Sequence, residues 1–136
     1  MESVRYMSDA TRTRKPKLAV VPLPPPHLDA LALLFDAERG HAIGPHGKRA
    51  RLTPPQIAFL SAFGERLLWG HYDMALRLYP EDAAWPTDHY RATARVYRQV
   101  RDILHDLGWR VERVVVVRAG IGWEYDADEA RKQVEA

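Results

Sequence analysis

The feature that most narrows the fold is a change of period at Gly108. From Thr87 or Asp88 to Leu107 the apolar residues recur at helical spacing, which predicts the longest helix of the chain, ended by that glycine. Beyond it the spacing drops to two. Arg110 to Val117 is a β-branched run, Arg118-Ala119-Gly120-Ile121-Gly122 interrupts it, and Trp123-Glu124-Tyr125 resumes it. That pattern predicts a β-hairpin with a glycine-bearing tip. A long helix that turns directly into a hairpin makes the chain α+β.

Upstream, Thr53-Pro54-Pro55-Gln56 has the chemistry of a helix start. Thr caps, Pro54 suits the first helical position, and Gln56 stands where a capping box takes Glu or Gln. Ile57, Leu60, Ala62 or Phe63, and Leu67 continue it at helical spacing. Asp73 is expected to cap a second, shorter helix, Met74 to Tyr79, stopped by Pro80. Glu81 to Pro86 reads as a loop holding Trp85, either a core plug or a partner contact. Before these helices, the turn signals Asp36-Ala37-Glu38-Arg39-Gly40 and Gly44-Pro45-His46-Gly47 separate two or three short antiparallel strands in a meander.

The chain divides into three parts. Residues 1–27 form an arm with Arg5, Arg12, Arg14, Lys15 and Lys17 against Glu2 and Asp9, followed by Pro22, Pro24, Pro25 and Pro26. Those prolines argue against a helix, and the arm is either an unstructured leader or a segment that touches a partner. Residues 28–126 form the folded domain, and 127–136 an acidic tail of high helix propensity, read as a frayed helix. No internal repeat is present. At 136 residues the chain suits one domain.

The long helix is strongly two-sided. Arg95, Arg98 and Asp102 fall within about 40° of Arg91 on a helical wheel, while Val96, Tyr97, Val100, Ile103, Leu104 and Leu107 cluster about the opposite pole. Solvated helix faces ordinarily mix signs at i,i+4, whereas Arg91, Arg95 and Arg98 repel one another, and an anionic partner would compensate. From Arg91 to Arg118 there are seven arginines and three acids, so the charge is segregated although the whole chain carries only +2. The basic residues comprise 16 Arg and 4 Lys, a bias that favours phosphate and guanine recognition. Two helices, a turn and a long basic helix form a helix-turn-helix order, and the hairpin behind it has the form of a wing.

Leu34-Phe35-Asp36-Ala37-Glu38-Arg39, the Gly47-Lys48-Arg49 turn into Arg51-Leu52-Thr53-Pro54, the apolar spacing of the first of these helices, Val100-Arg101-Asp102-Ile103-Leu104, and Val117 to Tyr125 carry a resemblance through their order and spacing. Over Leu33 to Tyr125 the chain resembles the winged-helix DNA-binding domain of OmpR/PhoB-type response regulators. The resemblance implies a four-stranded N-terminal sheet, three helices and a C-terminal hairpin wing. It further implies sequence-specific binding of double-stranded DNA, with the third helix in the major groove and the wing in the minor groove. By position, the groove-facing residues are Arg91, Arg95, Arg98, Gln99 and Arg101, and the wing arginine is Arg118. Twenty-seven preceding residues cannot hold a receiver domain, so phosphorylation of a receiver aspartate is not expected. A stand-alone transcriptional regulator is the expected role, with RNA polymerase or another regulator as further partners and a homodimer on DNA as an assembly. Two alternatives stay open: a winged-helix protein-interaction module whose arginines meet an acidic partner, and a DNA-binding component of a replication or phage-encoded complex.

Other chemistries find no support in the residues. Cys is absent, which removes disulfides, thiolate nucleophiles and Cys-ligated zinc, and fits a reducing, cytoplasmic setting without requiring it. His27, His41, His46, His71, His89 and His105 lack metal-ligand spacing, so neither metal nor cofactor is expected. Gly120-Ile121-Gly122 precedes a strand and is no dinucleotide fingerprint, and Ser3, Ser8 and Ser61 have no nucleophile-elbow context. No enzyme activity, secretory signal or membrane span is expected.

Overall fold

Trp109 follows the glycine that ends the long helix, and its indole N–H donates to the Ile43 carbonyl at 2.7 Å. This bond ties the later half of the chain to its first sheet. The structure, a computed structural model, describes residues 26–80 and 88–136. They form an α+β fold with two small antiparallel sheets and six helices among the described residues.

Helix α1 (Pro26–Leu31) leads into the meander β1 (Phe35–Asp36), β2 (His41–Ile43) and β3 (Arg49–Arg51), with β2 central. Next come α2 (Pro54–Ala62), β4 (Leu68–Gly70), α3 (His71–Leu78) and the 18-residue α4 (His89–Asp106). The chain then adds a helical turn α5 (Val111–Val114), the hairpin β5 (Val115–Arg118) and β6 (Gly122–Tyr125), and α6 (Ala127–Glu135). In the second sheet β6 lies between β5 and β4.

Local chemistry accounts for most of these boundaries. Gln56 Oε1 accepts from the Thr53 N–H at 2.9 Å, half of the capping box expected at the start of α2. The Asp88 carboxylate accepts from the Arg91 N–H at 2.9 Å and starts α4. At its end Gly108 adopts φ 111°, a left-handed conformation that glycine takes without a Cβ penalty. Asp126 caps α6 by accepting from the Glu129 N–H at 3.0 Å.

The core joins α2, α4 and the second sheet through aromatic rings. Phe59 meets Phe63 at 5.5 Å and Trp123 at 5.4 Å edge-on, and Tyr97 meets Trp123 at 5.8 Å. Phe59, Phe63, Trp123 and Tyr125 are all buried. Such contacts are worth about 0.5–1.5 kcal/mol each beyond the area buried. Two backbone approaches demand glycine. A methyl group at Gly44 would overlap the Leu107 carbonyl, and one at Gly122 would overlap the Trp69 carbonyl of the neighbouring strand.

Several expectations need correction. Pro26 does not exclude a helix but opens α1, because the first helical turn needs no N–H from that position. The rest of the arm, including Arg12, Arg14, Lys15 and Lys17, and the expected loop at Glu81 to Pro86 with Trp85 lie outside the described residues. Leu67 does not extend α2: the helix ends at Ala62, and Leu68–Gly70 is a strand. The next helix spans His71–Leu78 with Gly70 at its N-cap, so Asp73 lies inside its first turn and pairs with Arg66 at 3.1 Å. Arg110 to Val114 is not strand, since Val111–Val114 forms a helical turn and the hairpin starts at Val115. The acidic segment 127–136 is not a loose tail. Its helix buries Ala130, packs against α1 and holds Arg110 through Gln133, whose side chain accepts from the Arg110 N–H at 2.8 Å and donates to its carbonyl at 3.2 Å. The first sheet has three strands among the described residues, where the resemblance implied four.

Candidate nucleic-acid interface

One side of α4 is spent on folding. Ala92, Thr93, Val96, Tyr97, Val100 and Leu104 are buried against the neighbouring elements. Arg91, Arg95, Arg98 and Gln99 are consequently exposed on the same helix. Arg95 and Arg98 have no ion-pair partner among the described residues, while Arg91 has only the distant Asp88 carboxylate at 3.7 Å. Three guanidinium groups thus stand on successive turns with little local compensation.

The remaining two predicted positions differ from that stripe. Arg101 is half-buried and turned along the helix to Asp102, with Nη2 3.1 Å from the carboxylate. It also faces Tyr97. Burial pushes the Tyr97 hydroxyl above its ordinary range, and the Arg101 charge partly offsets that rise. Arg118 stands on the hairpin, paired with Glu124 at 2.6 Å. Its register partner is Gly122, so it shares a sheet face with Val116 and Glu124, opposite the face that carries Trp123 and Tyr125. The hairpin therefore turns Arg118 away from the aromatic core. An exposed pair of this kind contributes only about 0–1 kcal/mol, so a stronger anion could displace Glu124.

Gln99 is held from below. Gln56, buried at the start of α2, donates from Nε2 to Gln99 Oε1 at 3.1 Å. Sequence reading placed both residues but not their bond, because 43 residues separate them.

Other surfaces offer less chemistry. Among the described residues, no group of three or more His, Asp or Glu side chains could hold a metal ion, and no helix is long and apolar enough to cross a membrane. Comparison with known protein families, with curated proteins and with solved structures finds no match for this chain.

Proposed function

We propose that this chain is a winged-helix protein that binds double-stranded DNA in a sequence-specific manner and regulates transcription. On this reading α4 enters the major groove and the β5–β6 hairpin serves as a wing against the adjacent minor groove. The observation that carries it is the sparsely compensated arginine stripe, Arg91, Arg95 and Arg98, on the exposed side of a helix whose other side is core. A helix of this diameter fits the major groove, and arginine forks suit both phosphate and the paired acceptors of guanine. The order α2, α3, α4 and hairpin supports the same reading, as does the sheet that fixes the hairpin to β4. Arg118 would act as the wing contact by exchanging Glu124 for the DNA.

The test is selection of bound sequences from a random duplex library at one stated salt concentration, followed by competition with the selected site. Arg98→Ala should weaken binding to that site by roughly 1–3 kcal/mol while leaving the thermal unfolding curve unchanged. Equal affinity of wild type and variant at matched salt would remove Arg98 from the interface. Absence of any duplex binding even at low salt would return the arginine stripe to the acidic-protein reading.

A further inference from the structure

A backbone group decides which way round the Gln99 amide lies. The Thr53 N–H is a donor and nothing else, so the Gln56 side-chain atom 2.9 Å from it must be the oxygen. The Gln56 nitrogen then points the other way, and it donates to Gln99 at 3.1 Å. A donor requires an acceptor, so the Gln99 oxygen faces α2. What Gln99 has left is its NH2 group, for which there is no partner among the described residues. The polarity of an exposed amide is thereby set by the helix start of another element.

We infer that Thr53 and Gln56 orient Gln99 to meet its ligand as a hydrogen-bond donor, which makes Gln56 a positioning residue for base specificity. The inference rests on the proposed reading of α4 as a groove helix. In the major groove, guanine presents two acceptors, N7 and O6, and thymine one, O4, beside its methyl group, whereas cytosine presents only the N4 donor and adenine one of each. An amide with its oxygen turned back favours guanine at the base pair it reaches. A freely rotating glutamine would instead choose adenine, matching donor to acceptor. Gln56 is buried, so this orientation is locked by the same hydrogen bonds that start α2.

Gln56→Glu inverts the relay without deleting it. Glutamate is an accepted capping-box residue and takes the Thr53 N–H as glutamine does, but in its ionised form, which the α2 N-terminus favours and which is kept by working well above the carboxylate range, it offers Gln99 only an acceptor. The Gln99 amide must then rotate, giving its NH2 to the introduced carboxylate and its oxygen to the groove. Library selection on both proteins, at one salt concentration, should show one base pair changing from guanine toward a base with a donor edge, adenine or cytosine, by roughly tenfold in relative preference. The rest of the selected site should stay the same. An unchanged preference in a folded variant overturns the relay while leaving α4 as the groove helix. Gln99→Leu, at an exposed position, gives an independent arm: preference at that base pair should flatten, and its persistence would also overturn the inference. Side-chain amide NMR of the DNA-free protein reads the polarity directly. In the wild type the Gln56 NH2 protons should be slow to exchange and the Gln99 protons fast; in the Gln56→Glu variant the Gln99 protons should become slow. Fast exchange at Gln56 in the wild type would refute the relay even if no duplex bound, and failure to bind with slow exchange would refute only the role of α4.

Discussion

A single buried hydroxyl and a single doubly paired carboxylate give the sharpest tests at the scale of residues. The Tyr125 hydroxyl is buried with no hydrogen-bond partner among the described residues, and burial pushes its ionisation well above the ordinary tyrosine range. An unsatisfied buried donor costs about 1–3 kcal/mol, so Tyr125→Phe should raise stability to urea by roughly 1 kcal/mol or more. A destabilised variant would mean that the hydroxyl has found a partner. Asp36 is the opposite case. It pairs with Arg39 at 3.0 Å and Arg49 at 3.1 Å, and the Arg39 hydrogen bonds, side chain before backbone, hold its carboxyl down from 3.8 to about 2. Because the folded value is the lower one, the stabilisation is complete above about pH 4 and is lost as the pH falls toward 2. Asp36→Asn should therefore flatten the pH dependence of unfolding in that interval. A variant whose acid transition coincides with the wild type's would show that the pairing does not contribute.

Elements differ in how far their own residues decide them. Helix α4 was legible because its cap, its period and its terminal glycine are all local, and so was the exposure of Arg91, Arg95 and Arg98. Strand β4 was not, since Leu67 falls at helical spacing from Phe63 and only pairing with Trp123 makes Trp69 a strand residue. Val111–Val114 is the converse, a β-branched stretch held in a helical turn between α4 and α6, where tertiary packing overrides propensity. In the candidate interface, the Arg118–Glu124 and Gln56–Gln99 pairs were hidden because their partners sit on other strands or helices. The hairpin supplies its own test. Gly122→Ala must force β6 away from the Trp69 carbonyl and should cost roughly 1–3 kcal/mol. Gly120 has open space around its α-carbon but φ 76°, so the same change there should cost only the left-handed strain, about 1 kcal/mol, with no overlap added. Equal losses at the two positions, measured by denaturant unfolding, would mean that the close approach of β4 and β6 is not what constrains Gly122.

For the whole molecule the telling contact is between the earliest and latest described elements. Helix α6 packs on α1, buries Ala130, and brings Ala127 and Val134 against the core. Removing residues 127–136 should lower stability by about 2–3 kcal/mol, from the apolar surface exposed and the Gln133 clamp on Arg110 lost. An unaltered melting temperature would show that α6 is dispensable to the fold.

The pairing of β4 with β6 also bears on how the polypeptide is made. Synthesis delivers residues in order, so Leu68–Gly70 leaves the ribosome long before Gly122–Tyr125 exists to receive it. During that interval Trp69, Phe59 and Phe63 have no second sheet to cover them, although all three are buried in the finished fold. The nascent chain therefore passes through a stage at which these aromatic side chains are present and the strand that covers them is missing. Slow codons placed after α3 would lengthen that stage, and chaperones that recognise exposed aromatic side chains would find their substrate there.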